Sequence, residues 1–230
     1  MDVEATLQRL YLGEHGLRRE DLKKARELAA LLPEIERIGV RGLLVDAAAG
    51  HAYVGLLAAE LLGAEQVLLL ERDPARVARS EDAAARLSRP ADVKVRRGEL
   101  NDRLIWPAEP HLVAALHACG SASDDVIDSA VAARAKWLLL VPCCYLRADA
   151  AVEAAADQLG IARQAEVRRR FAQSVADSRR TLRLEAAGYE VTVTPFVAPT
   201  VTPHNLLWRC RRVGEPRRMQ AAAEQLARLP

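Results

Sequence analysis

Short apolar runs alternate with helical patterns five times in the first two thirds of this chain, and that alternation narrows the fold more than any other feature. Residues 43–45, Gln66–Glu71, 93–96, 111–116 and 136–141 read as strands, each too apolar to face water. Between them, residues 54–62, 74–87 and 121–133 carry helical spacing, with Asp73-Pro74 and Ser123 as expected helix starts and Gly63 as a stop. The pattern predicts a parallel sheet covered by helices on both faces. A leading amphipathic helix over 17–38, broken near Pro33, precedes it. The end of the chain differs. After a long helical stretch over 149–187, Tyr189–Pro195 and 205–211 are strands joined by a Pro-rich loop without a helix, so they must pair antiparallel. The expected fold is therefore α/β, Rossmann-like, with seven mostly parallel strands and an antiparallel last pair. One domain is expected, with a helical extension over 1–40, a core over 41–212 and a C-terminal tail over 213–230, in which 215–230 read as a surface helix or a frayed end.

The turn after the first strand is the most informative segment. Residues 46–55 read DAAAGHAYVG, small residues between a strand and a helix, which lets backbone approach a charged ligand at a helix N-terminus. Asp46 is unusual there, because a carboxylate repels incoming phosphates. An acid suits a ligand that carries a cation, such as the ammonium of S-adenosyl-L-methionine. Ala48 and Gly50 line this turn, His51 stands where it would meet a cofactor carboxylate, and Tyr53 would pack under the methionine moiety.

Other strand ends converge on the same edge of such a sheet. Glu71 closes the second strand, 25 residues after Asp46, where an acid accepts hydrogen bonds from both ribose hydroxyls; Arg72 follows it as a pairing partner. After the third strand, Gly98-Glu99-Leu100-Asn101-Asp102 offers polar groups for an adenine amino group and Leu100 for a ring face. After the fourth comes Leu116-His117-Ala118-Cys119-Gly120, and after the fifth Val141-Pro142-Cys143-Cys144-Tyr145. Adjacent parallel strands bring these two segments side by side. The spacing of Cys119, Cys143 and Cys144 lacks any C-x-x-C pair, so buried thiols are expected rather than a metal. His117 is the candidate general base and cofactor-pocket residue, and Tyr145 the second candidate catalytic group. His204-Asn205 stand in a loop that could reach this edge.

Charge is uneven. The net of +2 divides into 20 Lys+Arg against 25 acids over 1–159 and 13 Arg against 6 acids over 160–230. The Arg-rich third suggests RNA or an acidic partner, or else solvated arginines on helix faces, and aromatic stacking residues are sparse there. No apolar run approaches the ~20 residues of a membrane span, and four Cys form no disulfide framework. Cytoplasm is the expected compartment.

Taken together, DAAAGHAYVG, the acid closing strand two, LHACG after strand four and PCCY after strand five resemble the methyltransferase domain-32 family of class I S-adenosylmethionine enzymes. The resemblance covers 17–145 well and the last strands loosely. It implies binding of S-adenosyl-L-methionine by Asp46, Gly50, Glu71 and the His117 region. The usual loop of the family is closer to D-x-G-x-G-x-G, so Ala48 and Ala52 are departures, and Ala52 is expected to narrow the pocket. The expected activity is methyl transfer to RNA, protein or a small molecule. A non-catalytic scaffold with this fold, or a nicotinamide-dependent oxidoreductase, would be the alternatives.

Overall fold

The computed structural model describes every residue of the 230-residue chain except Glu14, Cys119, Cys143, Leu146 and His204. Seven strands form one sheet: β1 (Leu44–Ala47), β2 (Gln66–Glu71), β3 (Asp92–Arg97), β4 (Leu112–Ala118), β5 (Trp137–Pro142), β6 (Tyr189–Pro195) and β7 (Leu206–Arg212). Their order is β3-β2-β1-β4-β5-β7-β6. The first five pair parallel, and β7 lies antiparallel to both β5 and β6. The chain steps outward from β1 to β3, then returns to place β4 beside β1. That reversal opens a crevice at the carboxyl ends of β1 and β4, where ligands bind in sheets of this kind.

Strand alternation sorts the core into two layers. Leu44, Val67, Leu69, Leu112 and Ala114 pack with α1 (Val3–Leu7), α2 (Arg19–Ile38) and α3 (Tyr53–Leu57) on one face. Val45, Leu68, Leu70, Val113 and Ala115 meet α5 (Ala122–Ala132) and the buried Leu184 of α7 (Ala165–Ala186) on the other. The helix α4 (Pro74–Ala84) starts as expected, with the Asp73 carboxylate accepting from Ala75 and Arg76 N–H and Pro74 at its first position. Both α1 and α3 run on into single π-helical turns, Gln8–Leu12 and Ala58–Leu62.

Several expectations need correction. Pro33 does not break α2, which runs unbroken to Ile38 and stops at Gly39, φ +86°. The stretch 149–187 is two helices, α6 (Ala150–Gln158) and α7, parted after Gly160 in the left-handed region. Ser123 is not a cap: it lies inside α5, fully buried, with its hydroxyl donating to the Ala118 carbonyl. β3 is a charged edge strand rather than a buried one, its Asp92, Lys94 and Arg96 alternating outward. Of the two readings for the last residues, a surface helix or a frayed tail, the helix is the one found: α8 (Pro216–Leu226) packs on α7. Among the described residues no helix is long and apolar enough to cross a membrane.

Gly55 sets how closely α3 approaches the sheet. A Cβ there would stand 2.7 Å from Leu69 Cδ2, 2.9 Å from Val67 Cγ1 and 3.2 Å from Asp46 Cβ. All three neighbours are fixed in the core. Gly55→Ala should therefore cost ~1–3 kcal/mol of stability by pushing the helix off β1 and β2. The check is urea unfolding, and an unchanged midpoint would show that the helix can slide.

Candidate active site

The turn between β1 and α3 is built on three left-handed residues at alternate positions: Ala48 (φ +57°), Gly50 (φ +60°) and Ala52 (φ +58°). These are the positions where the expected loop carries glycine. Glycine adopts that backbone freely, whereas each alanine stores about 1–2 kcal/mol of strain. Ala52 is fully buried in the helix-side core, so its methyl does not narrow the cavity. Two acids hold the strained turn in place. Asp46 Oδ2 accepts from Gly55 N–H at 2.8 Å, and Glu71 Oε2 accepts from Gly50 N–H at 2.7 Å. Glu71 Oε1 also takes the N–H groups of Arg72 and Asp73, both at 2.9 Å.

A cavity of about 500 Å³ opens beside this turn, at the switch point of the sheet. Ala48, Glu71, Arg72, Glu99, Leu100 and His117 stand on its wall, as do Arg76, Asn101, Ser121 and Asp125. Four expected cofactor residues lie elsewhere. Asp46 is buried beneath the turn on the α3 side, and Gly50, His51 and Tyr53 are absent from the wall. His51 instead stacks on Tyr53, ring centroids 5.4 Å apart, and Tyr53 meets Tyr11 edge-on at 4.7 Å. Burial, then Arg76 and Arg79, lower the His51 pKa, so the ring is neutral at physiological pH.

His117 reaches the cavity through a backbone irregularity. Residues 113 and 115 of β4 face α5, and strict alternation would send 117 the same way. The register with β5 shifts between Leu116 and Ala118, and His117 takes φ +65°. The imidazole then meets α2, where its Nε2 lies 2.7 Å from Glu27 Oε2. Glu27, 1% exposed, also accepts from Lys24 Nζ at 2.7 Å. Burial opposes ionisation of Glu27, but the His117 and Lys24 contacts outweigh it and hold the carboxyl below its ordinary range. Sequence reading missed Glu27. The available signal was an acid one helical turn before Leu31 and next to Leu28, on the apolar stripe of α2.

Tyr145 belongs to a second cleft, about 640 Å³, beyond the end of β5 and lined with Cys144, Arg147, Arg168 and Arg169. Its hydroxyl donates to Asp177 Oδ2 at 2.9 Å, and Arg180 lies over its ring. Burial, with Asp177 adding, pushes the phenol far above its ordinary range, so it holds its proton. Burial likewise pushes Asp177 up to about 6, against the opposing Tyr145 and Arg180. The arginines of α7 are largely spoken for. Arg168 pairs with Asp157, Arg169 and Arg170 with Glu166, Arg179 with Asp149, and Arg180 and Arg183 with Asp124. Among the described residues, no group of three or more His, Cys, Asp or Glu is placed to hold a metal ion. The expectations for Cys119, Cys143 and His204 fall outside the described residues; Cys144 is exposed, and Cys210, which was not singled out, is buried.

A parallel sheet finished by a reversed strand, with an acid closing β2 beside a small-residue turn, defines a class I methyltransferase domain. The chain belongs to the methyltransferase domain-32 family, whose model, described as a methyltransferase domain, matches residues 23–150. Its cofactor is S-adenosyl-L-methionine. Among curated proteins, the glutathione S-transferase C-terminal domain-containing protein of Xenopus laevis is 31% identical over 134 residues, 54% of this chain and 20% of that protein. The chain thus spans about a fifth of that relative's length. Among solved structures, the tRNA methyltransferase TrmK of B. subtilis is 11% identical with a TM-score of 0.53, over 85% of this chain and 68% of that one. The fibrillarin pre-rRNA processing protein of Methanococcus jannaschii is 10% identical with a TM-score of 0.52, over 77% of this chain and 69% of that one. At these identities the likeness is one of fold.

Asp46 generates a pH signature. Burial pushes its carboxyl up to about 7, with the Gly55 N–H opposing and the Glu71 charge adding. The folded chain therefore keeps a proton that the unfolded chain releases from about pH 4 upward, so stability falls as pH rises through roughly 4 to 7 and levels off above. Asp46→Asn removes that dependence. Relative to the parent, the variant should gain up to a few kcal/mol between about pH 4.5 and about pH 7.5. Urea unfolding at both pH values measures the difference, and a constant offset would mean that Asp46 is ionised throughout.

Proposed function

We propose that this domain transfers the methyl group of S-adenosyl-L-methionine to a small or side-chain-sized acceptor that enters beside β5. The observation that carries the reading is the switch-point cavity, lined by Leu100, Glu71 and His117 in the order in which β3, β2 and β4 stand in the sheet. The residues present fit the cofactor. Glu71 is already locked by three N–H donors, so its carboxylate is oriented before any ribose arrives. The left-handed turn leaves only the Ala48 methyl facing the cavity. Leu100 supplies an apolar surface for a ring face, and Asn101 and Glu99 supply polar groups beside it. Asp46 serves from below, fixing the start of α3 through Gly55 N–H.

When bound, the cofactor supplies an electrophilic methyl carbon on a positive sulfur. The task left to the protein is alignment and exclusion of water. His117, at the tip of β4 on the wall of the cavity, is placed to receive a proton from an acceptor, and the Glu27 carboxylate stabilises the imidazolium that results. Tyr145, bound to Asp177 and holding its proton, shapes the acceptor cleft rather than abstracting a proton. Ion pairing of six arginines along α7 supports a compact acceptor over an RNA strand, since phosphate binding would have to compete with those carboxylates.

Calorimetric titration with S-adenosylmethionine and S-adenosylhomocysteine, with NAD as control, tests the cofactor reading. Adenosyl compounds should bind and NAD should not. Glu71→Ala should weaken that binding by ~1–3 kcal/mol through lost charge-assisted hydrogen bonds; unchanged affinity would move the pocket elsewhere. For the acceptor, a single-stranded RNA should show no steep loss of affinity between about 50 and 200 mM salt. A steep slope would restore RNA as the leading acceptor.

A further inference from the structure

The arginines of α7 are paired with acids; three basic residues near the start of α2 are not. Arg19, Lys23 and Arg26 recur at helical spacing, so they lie along one exposed stripe of that helix. Their neighbours are engaged, Arg18 with Glu20 and Asp21 and Lys24 with Glu27, whereas none of the three has an ion pair among the described residues. All three line a groove of about 510 Å³, which Thr200 and Val201 close from the connection between β6 and β7.

Topology places this groove at the carboxyl edge of the parallel strands. Leu206 of β7 pairs with Pro195 of β6, and Trp208 with Leu140 of β5, so the connection between β6 and β7 lies beside the carboxyl end of β5. The same edge is reached by α2. Its Glu34 pairs with Arg209 of β7 at 3.1 Å, and nearer its start Glu27 meets His117 at the tip of β4. Lys23 stands one turn before Glu27 on nearly the same side, a separation of roughly 5–6 Å between Cβ atoms.

The charge of the groove favours one kind of ligand. Its three cations are accompanied by a single acid, Glu20, already engaged by Arg18 at 3.0 Å. A monoanion would leave the groove positive, whereas a phosphate monoester carries about 1.5 to 2 negative charges at neutral pH. Guanidinium groups bind phosphate oxygens in pairs, and a lysine adds a point charge. Thr200 offers a hydroxyl donor, and Leu22 and Val201 offer apolar surface for carbon next to the phosphate.

We propose that this groove binds the phosphate of a small phosphorylated acceptor, with Arg19, Lys23 and Arg26 as its ligands and the methyl-accepting atom held toward His117. This rests on the reading of the main cavity as the cofactor site and of His117 as the proton acceptor. It names the class of acceptor, a compact phosphate monoester.

The test titrates the full chain with phenyl phosphate, benzoate and phenol, with and without S-adenosylhomocysteine, following backbone amide shifts by NMR. Phenyl phosphate should bind and move the amides of Lys23, Arg26, Thr200 and Val201. Benzoate should bind more weakly, and phenol not at all. Lys23→Gln and Arg26→Gln change exposed side chains and should each weaken phenyl phosphate roughly two- to fivefold, and the double variant about tenfold. Arg41→Gln alters an exposed cation ahead of β1, at the opposite edge, and should change nothing. No shift at the groove, benzoate binding as tightly as phenyl phosphate, or an equal loss in Arg41→Gln would overturn the proposal. So would a single-stranded RNA that binds with a steep salt slope and is weakened by the same substitutions, since the groove would then serve a polymer. Failure of the cofactor reading shows separately: S-adenosylhomocysteine would not bind the parent chain, and the acceptor role would fall even where phenyl phosphate still marks the groove.

Discussion

The architecture of the site depends on carboxylates that hold backbone N–H groups. Glu71 closes β2 and bonds Gly50, Arg72 and Asp73; Asp46 in β1 bonds Gly55. Between them they pin a turn whose three left-handed residues include two alanines. Without those bonds a strained Ala48 and Ala52 would relax, and the start of α3 would lose its place over the sheet. The close approach of Gly55 to Leu69 and Val67 completes the fit from the packing side.

A second constraint acts at the tip of β4. One extra residue in the ladder and a left-handed His117 redirect an imidazole from the α5 face to the α2 face. The strain is held by a short contact to a buried acid, Glu27, itself held by Lys24. Helices that precede the sheet thereby become part of the site. The two clefts differ in character. One is bordered by strand ends and backbone, the other by helices α6 and α7 with their paired arginines.

Much of this was legible in the residues. The apolar runs and the absence of a helix between β6 and β7 foretold seven strands with a reversed last pair, because hydrogen-bond geometry leaves few alternatives. Six of the expected cofactor residues (Ala48, Glu71, Arg72, Glu99, Leu100 and His117) do share one cavity wall. Asp46, Gly50, His51 and Tyr53 are engaged otherwise: Asp46 accepts from Gly55 N–H, Gly50 N–H donates to Glu71, and His51 stacks on Tyr53. Pro33 misled as a helix breaker because tertiary packing of Leu28, Leu31, Leu32 and Ile35 outweighs the loss of one hydrogen bond. The Arg-rich third read either as a patch for an anionic partner or as solvated arginines on helix faces; the ion pairs of Arg179, Arg180 and Arg183 with Asp149 and Asp124 join residues too far apart in sequence for either reading to foresee.

What the sequence determined by itself is local: periodicity, small residues where backbone must turn, an acid at the end of a strand. Those features arise from interactions within one element or its immediate neighbour, so they leave a readable pattern. Only the tertiary structure decided that Glu27, 90 residues before His117, would lie within hydrogen-bond distance of its imidazole, with Lys24 on the same carboxylate. Such contacts depend on how a helix lies across a sheet and on one bulge in β4. A bulge has no periodic signature, and a buried acid on an apolar stripe announces a partner without naming it.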